Sequence, residues 1–108
     1  MEIKLNNMCK WERQKAIYLL EVAEGLGMDT SGYGELAVNK NSGYTYLWLE
    51  DYSFTLYLPI NCELTKKDVM LIWTNSDNGN EEETELNNKS LDDCYKWVEE
   101  QEKNAREG

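Results

Sequence analysis

The chain has no histidine, one proline and one phenylalanine, and only three cysteines in 108 residues. Without imidazole, Ser-His and Cys-His nucleophilic catalysis and every His-ligated metal site are excluded. Cys9, Cys62 and Cys94 lie far apart and form no C-x-x-C pair. That excludes a zinc knuckle and a thioredoxin-like motif, and reduced, mostly buried thiols are expected. No run approaches the roughly 20 apolar residues that span a bilayer. Residues 1–10 lack the apolar core and small-residue cleavage site of a signal peptide, so a cytoplasmic protein is expected. The sequon Asn88-Lys89-Ser90 then has no consequence.

Motifs for ligands are missing as well. Gly25, Gly27, Gly32 and Gly34 precede strand-like sequence, and no Gly-Lys-Ser/Thr follows, so there is no phosphate-binding loop. Asn75-Ser76-Asp77-Asn78-Gly79 begins like a calcium loop, but the twelfth position is Leu86 or Asn88 and not Glu. Adjacent carboxylates such as Glu50-Asp51 and Asp92-Asp93 carry little specificity in an acidic chain. No cofactor, no metal and no enzymatic activity are expected.

Positive charge is scarce. Eleven Lys and Arg face 21 Asp and Glu, a formal charge of −10. At 41% hydrophobic and 11% aromatic the chain is nevertheless no disordered tail, and one acidic α+β domain over residues 1–108 is expected. The sign of the charge argues against direct nucleic-acid or membrane binding and favours a partner with a basic surface. The excess is uneven: residues 1–28 are neutral and residues 81–108 carry −6.

Apolar periodicity predicts a helix from about Met8 to Leu26, with Asn7 as N-cap and Gly25 or Gly27 as its left-handed stop. Alternating or β-branched and aromatic runs predict strands at 34–39, 44–49 and 53–58, with Asn39–Gly43 as a hairpin loop. Residues 69–74 are apolar on both sides and read as a central strand or one covered on both faces. Asn78-Gly79 suits a type I′ turn, and Glu83 to Leu86 a short edge strand. Ser90 and Asp93 form a capping box for a last helix that frays after about Lys103, with Leu91, Cys94, Tyr95, Trp97, Val98 and Gln101 as its buried stripe. The expected fold is α+β: an antiparallel four- to five-stranded meander sheet with an N-terminal and a C-terminal helix, α-β-β-β-β-(β)-α.

Two surfaces are candidates for binding. The first is an acidic face made by Glu81, Glu82, Glu83, Glu85, Asp92, Asp93, Glu99, Glu100 and Glu102. Spaced carboxylates of this kind offer Arg and Lys the contacts of a phosphate backbone, the behaviour of a DNA mimic. The alternative is an ordinary solvated helix, with Asp92 and Asp93 at its N-terminus, Lys103 and Arg106 near its end, and Glu99 and Glu100 paired with Lys96 and Lys103. The second surface follows from pleating. If Leu36, Val38, Leu47, Leu49, Phe54, Leu56 and Leu58 face the core, Tyr33, Glu35, Tyr44, Tyr46, Trp48, Glu50 and Tyr57 face the other way. That face is a protein-binding platform, or else it is covered by a helix or occupied by cross-strand aromatic pairs. Lys40 is the only basic residue between Asp29 and Asn61, which disfavours base stacking.

The stretch Ser31-Gly32-Tyr33-Gly34-Glu35, continuing through Asn39-Lys40-Asn41-Ser42-Gly43-Tyr44-Thr45-Tyr46-Leu47-Trp48-Leu49-Glu50-Asp51-Tyr52, resembles small uncharacterised proteins of bacterial phages and mobile elements. In size, acidity and lack of catalytic motif the chain is similar, at the level of a class, to anti-CRISPR and anti-restriction inhibitors. Its α-β-β-β-α portion is similar in order to double-stranded RNA-binding domains, without their basic loop and helix face. These resemblances imply a non-enzymatic inhibitor in a bacterial host cell that occludes a basic nucleic-acid-binding surface of a host defence complex. The alternative is a structural or regulatory adaptor that binds a host protein through the aromatic sheet or forms a homodimer. A small-ligand sponge with a defined cavity is a third expectation.

Overall fold

The first helix is set by its caps and its apolar stripe. In a computed structural model that describes residues 2–3 and 8–107, α1 spans Lys10–Leu26. Its N-cap is Cys9, whose extended backbone N–H donates to Glu12 Oε1 at 2.9 Å. Asn7, the expected N-cap, lies outside the described residues. Gly27 closes the helix at φ 89°, and the Met28 N–H returns to the Ala23 carbonyl at 3.0 Å, a Schellman-type stop. Ala16, Leu19, Val22 and Ala23 form the buried side, joined by Lys15.

Two loops of one design then set the hairpins. Asn39-Lys40-Asn41-Ser42-Gly43 and Asn75-Ser76-Asp77-Asn78-Gly79 both run from an Asn to a Gly four residues on. The Gly N–H donates to the Asn carbonyl at 2.7 Å in each. The Asn39 side chain accepts from the Asn41 and Ser42 N–H groups, and that of Asn75 from Asp77. The two glycines take φ 77° and 75°, a left-handed conformation that Gly adopts without steric cost. Asn78 does not have a positive φ, so the expected type I′ turn, which needs two such residues, gives way to this longer loop.

The strands are β1 (Glu2–Ile3), β2 (Gly34–Val38), β3 (Thr45–Leu49), β4 (Thr55–Leu58), β5 (Met70–Thr74) and β6 (Glu81–Glu85), and a 3-10 turn at Lys66–Asp68 leads into β5. They form one sheet in the order β1-β2-β3-β4-β5-β6. From β2 to β6 it is the expected antiparallel meander. The two-residue β1 adds a parallel edge beside Glu35 and Leu36, unanticipated because so short a strand has no periodicity. β6 begins at Glu81 and not Glu83, since the loop register places Glu81 opposite Thr74.

Helix α2 spans Leu91–Glu107. The expected capping box forms: the Ser90 N–H donates to Asp93 Oδ2 at 2.9 Å, and the Asp93 N–H to Ser90 Oγ at 3.1 Å. The helix persists beyond Lys103 to Glu107. Cys94 and Val98 are its buried residues, while Tyr95 is exposed.

Both helices pack on the same side of the sheet. The row Leu36, Leu47, Leu56 and Leu71 runs across β2 to β5. It shares one buried cluster with Ala16 and Leu19 of α1 and with Cys94 and Val98 of α2. Burying a leucine of this kind contributes about 2 kcal/mol, so this row holds the layers together. β5 is internal, as expected, between β4 and β6. It is covered on one side only: Leu71 is buried, whereas Met70 and Ile72 are half-buried on the other.

Candidate partner-binding face

Pleating carries alternate residues to the side of the sheet opposite the helices. Trp48 sits across from Glu35, Tyr46 from Ala37 and Tyr57, and Ile72 from Thr55 and Glu83. All have the opposite parity to the buried leucine row. Among the described residues no helix covers them, and they form an open aromatic surface edged with carboxylates. Trp48 is 39% exposed and Tyr33, which meets it edge-on at 5.9 Å, is 71% exposed. The Tyr44 ring lies 5.1 Å from that of Tyr57 and 6.2 Å from that of Tyr46. The expected cross-strand aromatic contacts are present, and among the described residues the alternative of a covering helix is not seen on this face.

Two tyrosines sit beside carboxylates. The Tyr46 hydroxyl donates to Glu35 Oε1. Burial, then this bond to a negative neighbour, pushes the phenol up to about 12. Burial, followed by the neighbouring Glu83 carboxylate, also raises Tyr57 well above the ordinary phenol range. The Tyr46–Glu35 contact pins a ring that would otherwise rotate and holds Glu35 against the aromatic surface. A shallow depression of about 280 Å³ lies here, lined by Tyr44, Tyr46, Trp48, Tyr57, Ile72 and Glu81 among others. Ring faces beside carboxylates attract guanidinium and ammonium groups by cation–π and charge-assisted contacts.

The sheet divides the other expected acidic surface. Glu81, Glu83 and Glu85 are paired with Thr74, Ile72 and Met70 on the open face, while Glu82 is paired with Trp73 and points to the helix side. Asp92, Asp93, Glu99, Glu100 and Glu102 are exposed on α2, behind the sheet. One continuous acidic face from β6 to α2 therefore does not form. Asp93 is engaged by the cap, whose hydrogen bonds from Ser90 hold its carboxyl below the usual range. Among the described residues, Glu99 and Glu100 make no salt bridge with Lys96 or Lys103, so the expected pairing along the helix is also absent. Glu50 is exposed in the turn after β3, its N–H bonded to the Tyr33 carbonyl at 2.9 Å.

Only Cys94 of the free cysteines is buried, and desolvation pushes its thiol up to about 11; Cys62 is half-buried and Cys9 exposed. The expectation of mostly buried thiols thus holds for one residue, because Cys9 serves as the N-cap. Among the described residues no cluster of His, Cys, Asp or Glu is arranged to hold a metal ion, and no helix is long and apolar enough to cross a membrane. Met70 and Ile72 belong to the open face but were not foreseen there; a strand apolar on both sides, in a chain with two helices, was the available signal. No protein family, curated protein or solved structure matches the chain.

Proposed function

We propose that the chain is a non-enzymatic protein-binding domain that docks its open sheet face on a basic protein surface. By occupying a surface that otherwise holds nucleic acid, it acts as an inhibitor of a host nucleoprotein complex, the role suggested by its size, acidity and lack of catalytic motif, in which it is similar to anti-CRISPR and anti-restriction inhibitors as a class. The observation that carries this reading is the uncovered aromatic surface, Tyr46, Trp48 and Tyr57, framed by Glu35, Glu81 and Glu83. Aromatic anchors supply buried area at a protein interface. The surrounding carboxylates select a cationic partner and repel nucleic acid itself. They also favour a different protein over a second copy, because self-docking would bring the glutamates of both copies together.

Affinity capture from a bacterial lysate with three baits tests the proposal. A Tyr46→Ala/Trp48→Ala bait should lose a partner that the wild-type chain retains at low salt and releases at high salt, and added nucleic acid should compete. A Glu99→Lys/Glu100→Lys/Glu102→Lys bait should retain it. Loss by the helix bait alone would move the interface to α2, where exposed, unpaired carboxylates support a phosphate-mimicking second reading.

A further inference from the structure

We infer that the cleft between the start of α1, the β2–β3 loop and the segment after β4 binds a small amphipathic carboxylate. Its anchor is Lys15, a charged side chain only 1% exposed. A buried ammonium is unfavourable unless an anion or a full set of acceptors compensates it. Among the described residues Nζ has one acceptor, the Ile60 carbonyl at 3.4 Å, which is longer than an ordinary charge-assisted bond. The Trp11 ring centroid lies 6.0 Å from Nζ and supplies no anion. Among the described residues Lys15 forms no salt bridge. Glu12 lines the cleft but is engaged elsewhere: Oε1 accepts the Cys9 N–H at 2.9 Å, and Oε2 lies 3.6 Å from Lys40 Nζ.

The space beside Lys15 suits such a ligand. The cleft holds about 320 Å³, within the range of small-molecule sites. Trp11, Val38 and Ile60 give it apolar walls. Trp11 is 40% and Ile60 55% exposed, so an occupant would cover two large apolar side chains now open to water. Gly43 shapes the wall, because a Cβ there would fall 2.8 Å from Ile60 Cδ1. Lys40, with 67% of its side chain exposed, stands at the rim. One buried cation and apolar walls, with the Lys40–Glu12 pair at the rim, call for one negative charge on an apolar ring or short chain. This site is separate from the aromatic sheet face and does not rest on the function proposed for it.

The test is a titration of the isotope-labelled full-length chain with benzoate, followed at the Trp11 indole and the Gly43 amide by NMR. Saturable shifts are expected, with a Kd on the order of 1 mM. Benzamide, which has the ring without the charge, and acetate, which has the charge without the ring, should each bind at least about tenfold more weakly. Lys15→Met keeps the aliphatic stem and should weaken benzoate binding by about tenfold or more. Ile60→Ala leaves the buried lysine in place and should weaken it about threefold through lost apolar contact, a check that stands if the Lys15 variant does not fold. Absence of saturable shifts, equal binding of benzamide and benzoate, or unchanged affinity in either variant would overturn the inference.

Discussion

Thr45 faces the core between Val38 and Leu58 and is fully buried, yet its hydroxyl has no hydrogen-bond partner. A buried hydroxyl without a partner is unfavourable, and a methyl group in its place is not. Thr45→Val should therefore raise stability by about 1 kcal/mol in urea denaturation; a loss would show that the hydroxyl is satisfied, for instance by a buried water. On the opposite side of the same strand, Tyr46 is held neutral by burial and by Glu35. Its folded value is raised, so the stability it contributes is intact below the ordinary phenol value near 10 and is lost as pH rises through about 12. Ultraviolet titration should resolve this late ionisation, and Tyr46→Phe should remove it. Glu35→Gln should move it to lower pH by taking away the negative neighbour.

At the level of elements, local chemistry in the sequence was informative wherever it was self-contained. The Ser90–Asp93 box starts α2 as expected, and Ser90→Ala should cost about 1 kcal/mol, read as a fall in the urea midpoint with an unchanged slope. The alternation of Leu36, Leu47, Leu56 and Leu58 named the core face correctly. What was not legible depended on other segments. Cys9 is a poor candidate cap by composition, and Glu12 makes it one by accepting its N–H. The type I′ expectation failed because Asn75 closes a longer loop over Asn78-Gly79, a pattern already spelled out by Asn39 and Gly43. β1 exists only because β2 offers it an edge.

Across the whole molecule, the main change concerns where the charge of −10 acts. Along the sequence, the glutamates of β6 and α2 form one acidic third. In three dimensions the sheet lies between them, with Glu81, Glu83 and Glu85 beside the aromatic rings and Glu99, Glu100 and Glu102 behind the core. Sequence alternation identified Tyr46, Trp48 and Tyr57 as neighbours, but no local rule showed that both helices would choose the other face. That choice follows from packing: each helix has one apolar stripe, and the leucine row is the surface that buries it. It leaves Met70 and Ile72 on the open side, where they extend the aromatic surface up to the glutamates of β6.

The proposed function requires that this open face, and not charge in general, recognise a cationic partner. Titration of the labelled chain with a short arginine-rich peptide, followed by backbone amide shifts, tests it most directly. The expected result is a saturable set of shifts confined to Tyr46, Trp48, Tyr57, Ile72 and Glu83, reduced about tenfold in affinity by Trp48→Ala. Shifts centred on Glu99, Glu100 and Glu102, or spread over all carboxylates alike, would contradict it.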